Sequence, residues 1–382
     1  MNQRSYLDYN ATAPLRDEVR DAVIAALSLE GNPSSVHAEG RAARAAIEAA
    51  RVKVARLVGA RAEDVIFTSG GTEANALALA AQAGQAWHCY LSAVEHPSVR
   101  SGGRFYRETT TTIPVTSDGV VDLDALAREL EKHRPGGWRP IVSLMTANNE
   151  TGAIQPVAEA SKIVHEAGGL LHTDAVQAAG RVPLDIGAIG ADMLSLSAHK
   201  IGGPKGIGAL VLREDVSVEP LLKGGGQERR RRAGTENVPG IVGFGVAAEL
   251  AAADLAKAPE VAKLRDELEA GALVIAPDAV VLSSRVPRLP NTTCLAVPRA
   301  KAETLVIGLD LAGVAISSGS ACSSGKVEAS HVLSAMGIAP ELAQGAIRVS
   351  LGFATSNTDI QAFLRAFPEL IKRLKQSRKV AA

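Results

Sequence analysis

At 382 residues, with 46% hydrophobic side chains, the chain is long enough for two domains and can bury a sizeable core. Its 41 basic and 41 acidic residues cancel to a formal net charge of zero, which excludes a general nucleic-acid or membrane-surface binder; the basic run Arg229 to Arg232 is too short to change that. Cys89, Cys294 and Cys322 lie far apart and form no CxxC pair, so neither a disulfide framework nor a zinc site is expected. The start "MNQRSYLDYNATAP" lacks a signal-peptide pattern, and no apolar run stands out as long enough to span a bilayer. The expected setting is cytoplasmic.

From about residue 60 to 215 short apolar runs alternate with helical patterns. "VIFTSG" (65–70) precedes the helix-like "TEANALALAAQAG". "WHCYLSA" (87–93), "IVSLMTA" (141–147), "LLHTDA" (170–175), "MLSLSA" (193–198) and "GIGALVL" (206–212) follow as strands. Between them "DLDALARELEKH" (122–133) and "PVAEASKIVHEAG" (156–168) carry apolar residues at helical spacing. This alternation predicts an α/β fold, a mainly parallel sheet covered by helices. One long helix is predicted over about 237–270; beyond it "AVVLSS", "NTTCLAV", "GVAISS" and "IRVSLG" predict short strands and "NTDIQAFLRAFPELIKRLKQ" a closing helix, together a smaller α+β domain.

In parallel sheets ligands sit beyond the carboxyl ends of the strands. There the sequence places Gly71-Thr72-Glu73 at a helix start, His96, Asn148-Asn149-Glu150, Asp174 with Gln177 one turn on, and His199-Lys200. Gly71-Thr72 offers backbone N–H groups and a helix dipole to a phosphate, though it reads equally well as a capped helix after a tight turn. It is not a P-loop, because no Gly-Lys-Ser/Thr follows. Each remaining position taken alone reads as a cap or a solvated side chain. Taken together, a phosphate cradle, a carboxylate and a lysine are what pyridoxal phosphate requires. The lysine amine must be unprotonated to form a Schiff base, and the carboxylate holds the proton on the pyridine nitrogen. Lys200 fits the first role and Asp174 the second; Lys205, in "GPKG", is the local competitor but sits within a turn. Cys322 stands in "SSGSACSSG" (317–325), among small residues that favour access or movement over packing.

The blocks "HTDAVQAAG", "SLSAHKIGGPKGIGAL", "GGGQERRRRAGTENVPGIVG" and "SSGSACSSG" resemble the cysteine desulfurases, pyridoxal-phosphate enzymes of fold type I within the class V aminotransferase group. The resemblance runs nearly end to end, through "YLDYNATAPL", "GNPSSVHAEGRAAR", "FTSGGTEANALAL", "VEHPSV", "NNETGAIQPV" and "IRVSLG". It implies a large cofactor-binding domain over 14–255 and a small domain of 1–13 with 256–382 that carries the catalytic cysteine loop. By the same resemblance Lys200 holds the cofactor, Asp174 meets the pyridine nitrogen, and Gln177 meets the phenolic oxygen. His96 stacks on the ring and moves protons, while Gly71, Thr72, Ser197 and His199 hold the phosphate. Asn149 lies against cofactor and substrate, and Arg348 takes the substrate carboxylate. Thr235 supplies a phosphate contact to the partner subunit, which implies a homodimer.

Cys322 is then the nucleophile that takes sulfur from L-cysteine as a persulfide, leaving alanine, for a sulfur-acceptor protein such as an iron–sulfur scaffold. No metal is expected in the resting enzyme, although Cys322 could contact a cluster on a scaffold partner. The stretch through "HVLSAMG" resembles the longer-loop branch of the family. A selenocysteine lyase or another class V aminotransferase is the nearer alternative; Cys322 speaks against a plain transaminase. A thiol hydrolase would leave Lys200 and Asp174 without purpose, and a scaffold that has lost catalysis fits poorly with an intact set of positions. Cys89 and Cys294 read as packing residues, His37 and His331 as caps or surface residues, and Arg230 and Arg231 as a solvated face.

Overall fold

The computed structural model describes residues 4–80, 86–101, 103, 105–133, 137–318 and 330–381. A short strand, β1 (Ser5–Tyr6), opens the chain and pairs far away in sequence. The large sheet follows, from β2 (Val65–Thr68), β3 (Trp87–Ser92), β4 (Thr110–Ile113), β5 (Arg139–Ser143), β6 (Leu170–Asp174), β7 (Met193–Ser197) and β8 (Gly208–Leu212). Their order is β2-β8-β7-β6-β5-β3-β4. Pairings from β4 through β7 are parallel, whereas β8 runs antiparallel to both β7 and β2. The sheet is therefore mixed. The link from Ser197 to Gly208 is too short for the crossover that a parallel neighbour requires, so β8 must turn back.

Helices cover both faces. On one, Ala38–Leu57 and Val238–Asp254 pack Ile47, Val54 and Phe244 against Phe67, Leu196 and Ala209. On the other, Leu77, Leu91 and Leu210 form one cluster, and Leu126, Val142 and Leu171 another. Because both faces are covered, β6, β7 and β8 are buried throughout and read as continuous apolar runs rather than alternating ones.

The long helix expected over 237–270 is two, Val238–Asp254 and Ala258–Ile275, joined by a 3₁₀ turn, with Pro259 entering the first turn of the second. By length and composition Val238–Ile275 is apolar enough to cross a membrane, contrary to the sequence expectation, and half of its most apolar window is buried inside the fold. It is a core helix by its packing.

A second antiparallel sheet, β12-β13-β10-β9, is built from β9 (Val280–Val281), β10 (Thr292–Ala296), β12 (Ser317–Ser318) and β13 (Ala346–Ser350). β1 pairs in parallel with β11 (Val314–Ala315), so the amino terminus joins this carboxyl-terminal region. Leu7, Leu268, Leu305, Ile347, Phe363 and Phe367 share its core, the two phenylalanine rings stacked at 5.1 Å.

Two local constraints shape the carboxyl edge of the large sheet. A Cβ on Gly208 would lie 2.6 Å from the carbonyl carbon of Gly70 and the oxygen of Leu196, so only glycine lets β8 pass beside the start of helix Gly71–Ala78. In the segment after Gly226, Glu228, Arg229 and Arg230 are all left-handed, with φ of 43°, 56° and 64°. Glu228 pins this strained run: its buried carboxylate takes Arg51 at 2.7 and 2.9 Å and the Phe67 amide at 3.1 Å. Arg230 is exposed. Arg230→Gly is expected to raise the unfolding free energy by about 1 kcal/mol. Glu228→Ala, which removes the buried carboxylate from Arg51 and leaves it only Glu48 and the Val65 carbonyl, should lower it by about 3 kcal/mol. Urea denaturation of the apoprotein measures both.

Candidate active site

A cavity of about 450 Å³ opens where the carboxyl ends of the large-sheet strands face the second sheet. It collects every site residue expected from sequence except Cys322 and Thr235. Asp174 ends β6 and pairs in register with Ser195 of β7, so the short turn after Ser197 sets Lys200 on the neighbouring strand end. Lys200 Nζ donates to the carbonyls of Asn10 and Ala11 at 2.6 and 2.8 Å. Burial, then Arg348 and Arg181, push its amine down to about 7, against the pull of Asp174 and Asp8.

Asp174 is buried and held on both oxygens. Oδ2 accepts from Asn75 Nδ2 at 2.7 Å and Oδ1 from the Val176 amide at 3.0 Å. Asn75 Nδ2 also donates to Ser98 Oγ at 2.9 Å, which lies 2.7 Å from His96 Nδ1. His96 caps the short helix Pro97–Arg100, its Nδ1 accepting the Ser98 amide at 3.2 Å; the ring proton is thereby assigned to Nε2. Burial and Lys200 lower the imidazole pKa from its usual value while Asp174 raises it, so the ring is neutral near pH 7.

One end of the cavity is formed by the start of helix Gly71–Ala78 with Ser197 and His199 beside it. A Cβ on Gly71 would come within 3.0 Å of Val176 Cγ2 and 3.4 Å of Ser197 Cβ, so the space there depends on glycine. His199 is pushed to about 4 by burial and then by Lys200 and Lys205, and stands 3.2 Å from Thr12 Oγ1 as a neutral ring. Opposite, Arg348 rises from β13 and donates to the Asn149 carbonyl at 3.1 Å and Asp8 Oδ1 at 2.9 Å. Its buried Nε has no partner among the described residues.

A carboxylate, a low-pKa amine, neutral imidazoles, an amide and a helix N-terminus suit pyridoxal phosphate in kind and in space. A match to the class-V aminotransferase family spans residues 5–363. A cysteine desulfurase of Cereibacter sphaeroides is 46% identical, covering 98% of this chain and 97% of its own. Among solved structures, a NifS-like protein of Rickettsia africae superposes with a TM-score of 0.87 at 36% identity, over 97% of this chain and 100% of that one. SspA, solved in complex with cysteine, matches with a TM-score of 0.76 at 29% identity, over 91% of this chain and 98% of that one. The chain belongs to the cysteine desulfurases of the class-V aminotransferase family. Enzymes of that family depend on pyridoxal phosphate.

For this cysteine desulfurase the two exceptions differ in kind. Cys322 lies outside the described residues; Ser317, which precedes it, lines the cavity. Thr235 is exposed and belongs to a separate cleft of about 230 Å³ beside Glu228 and Arg232, so it does not reach the cavity of its own chain. Lys205 is exposed in its turn and lies outside the cavity. Cys89 and Cys294 are buried, and burial raises both thiols, Cys294 to about 12, which suits packing and not nucleophilic attack. His37 caps helix Ala38–Leu57 by accepting the Gly40 amide at 3.3 Å, and His331 Nε2 meets the Glu95 carbonyl at 2.9 Å.

Sequence reasoning missed Asn10, Asn75 and Ser98. Asn75 left one legible signal, an asparagine on the buried face of an otherwise apolar helix. Asn10 left none, since its partners lie hundreds of residues away. Two outcomes follow from the depressed amine and the Asn75 link. In the apoprotein, labelling of Lys200 by an amine reagent should rise through about pH 7, because the free base predominates above its pKa, and level off well before ordinary lysines react. Asn75→Ala removes a donor from a buried carboxylate and should weaken pyridoxal phosphate binding by about 2 kcal/mol, read by titrating the apoprotein with cofactor.

Proposed function

We propose that this enzyme converts L-cysteine to L-alanine and retains the sulfur as a persulfide on Cys322, for transfer to a sulfur-accepting protein such as an iron–sulfur scaffold. The observation that carries the reading is the single cavity joining Lys200, Asp174, the Gly71–Ala78 helix start and Arg348. Pyridoxal phosphate, when bound, supplies an electron sink next to the substrate's α-carbon. The chain's own groups do the rest. Lys200, with its amine largely unprotonated near neutral pH, is ready to hold the cofactor covalently. Asp174, held by Asn75 and the Val176 amide, keeps a proton on the pyridine nitrogen. Gln177 Nε2 donates toward the phenolic oxygen, and Gly71, Thr72, Ser197 and His199 hold the phosphate.

Arg348 takes the substrate carboxylate; its unpartnered Nε supports this, since a buried donor without an acceptor is costly until one arrives. Asn149 flanks the substrate. His96 covers the cofactor face, and its neutral ring can accept or release a proton. The Cys322 thiolate then attacks the substrate sulfur: the sulfur–carbon bond breaks, a sulfur–sulfur bond forms, and the carbon skeleton, after taking a proton, leaves as alanine.

The exposure of Thr235 on its own chain supports a homodimer in which each copy gives this hydroxyl to its partner's phosphate. Cys322→Ala is expected to abolish sulfide release and alanine formation while the apoprotein still takes up cofactor. Unchanged turnover would remove Cys322 from the reaction. Borohydride reduction followed by mass spectrometry should find the cofactor on Lys200; finding it on Lys205 or nowhere overturns the reading. Arg348→Lys keeps the charge but loses the fork, and should raise KM for cysteine by roughly tenfold or more, with a smaller change in kcat.

A further inference from the structure

Arg181, four residues beyond Gln177 in the turn that follows β6, was assigned no role by sequence. Its guanidinium borders a cleft of about 140 Å³ beneath Lys200. Among the described residues no carboxylate pairs with it. Asp254, on the same cleft, is taken by Arg16 at 2.6 Å and Lys257 at 3.1 Å. Arg181 donates instead to uncharged oxygens. Nη1 reaches the Gln177 carbonyl at 2.9 Å and Gln177 Oε1, and Nη2 faces the carbonyls of Tyr9 and Lys200, each at 3.5 Å. A partly buried guanidinium without a counter-charge carries a desolvation cost, which points to use of the charge itself.

Two consequences follow from that placement. The first concerns Gln177. An arginine can only donate, so the amide end beside it must be the oxygen, and the other end must be Nε2, which donates to the Asn10 carbonyl at 3.0 Å. Nε2 has a second hydrogen, and Gln177 lines the cavity, so the arginine commits that amide to presenting a donor there. The second concerns Lys200. The charged groups acting on its amine are Arg348 on β13, Arg181 on the turn after β6, Asp174 at the end of β6 and Asp8 after β1. Two cations thus offset two carboxylates, and burial tips the balance toward the free base. Removing Arg181 would leave burial and Arg348 in place and shift the amine part of the way back toward its ordinary value.

We propose that Arg181 is a positioning residue for the cofactor site, clamping Gln177 as a donor and setting a positive charge against the segment that carries Lys200. The proposal rests on the reading of the cavity as a pyridoxal phosphate site, and the test separates the two. In cofactor-free enzyme, the pH midpoint of Lys200 labelling is measured by mass spectrometry for the wild type, Arg181→Gln and Arg181→Lys, with circular dichroism confirming the fold. Arg181→Gln should move the midpoint up by about one pH unit, since a neighbouring like charge has gone. Arg181→Lys keeps the charge, so its midpoint should stay near the wild-type value while pyridoxal phosphate binds roughly tenfold more weakly, because Gln177 is free to flip.

A midpoint unmoved in Arg181→Gln, or moved equally in Arg181→Lys, overturns the electrostatic half. Wild-type cofactor affinity in Arg181→Lys overturns the clamp. Should Arg181→Gln not fold, the Arg181→Lys pair of readings still decides both halves: a raised midpoint overturns the first, and undiminished affinity the second. A wild-type apoprotein that binds no pyridoxal phosphate refutes the assignment of the cavity, whereas the labelling midpoint is read without cofactor and judges Arg181 alone.

Discussion

Asn10 uses every polar atom it has, and the two sheets meet through it. Its amide takes Ser350 Oγ at 2.9 Å; its Nδ2 donates to the Asn149 carbonyl at 3.1 Å and Thr292 Oγ1 at 2.9 Å; its Oδ1 accepts from Asn291 at 3.1 Å. Its own carbonyl accepts both Lys200 and Gln177, at 2.6 and 3.0 Å. One buried residue therefore ties the strand ends of the large sheet to the antiparallel sheet that carries Arg348. A buried network of this kind is stable only when all its members are satisfied, so the segment around Asn10 has a single acceptable position. That position forms one wall of the cavity.

The electrostatics of the cavity follow from what this wall excludes. Lys200 is held by two carbonyls and not by a carboxylate, so no counter-charge touches it. Asp174 is held by Asn75 and a backbone amide, and through Asn75 it is linked to Ser98 and His96. The amine and the carboxylate on neighbouring strand ends thus have different neighbours.

Much of the large sheet was legible because its strands are covered on both faces and appear as unbroken apolar runs. β4, with sequence TTTI, was not, since it lies at the sheet edge and is only partly buried. The reversal of β8 was also hidden; it depends on a short link and on Gly208 passing beside Gly70, neither of which changes the apolar pattern. The single helix expected over 237–270 broke because a 3₁₀ turn and Pro259 interrupt a continuous apolar face. Among the residues that line the cavity, most of those following a strand stood out in the sequence, whereas Asn10 and Asn75 did not.

The division has a physical reason. Sequence alone determined the strand–helix alternation, the residues at each strand end, and the presence of an amine, a carboxylate, a helix start and an isolated small-residue thiol. These are local properties, set by spacing and side-chain chemistry. Tertiary structure decided that the groups around Lys200 share one cavity, that Thr235 lies outside it, and that the Lys200 amine is depressed to about 7. It also decided that Asn10, Asn75 and Arg181 bond to residues that line the cavity. Charge, burial and hydrogen-bond partner are sums over neighbours in space, and the neighbours of Lys200 come from β1 to β13.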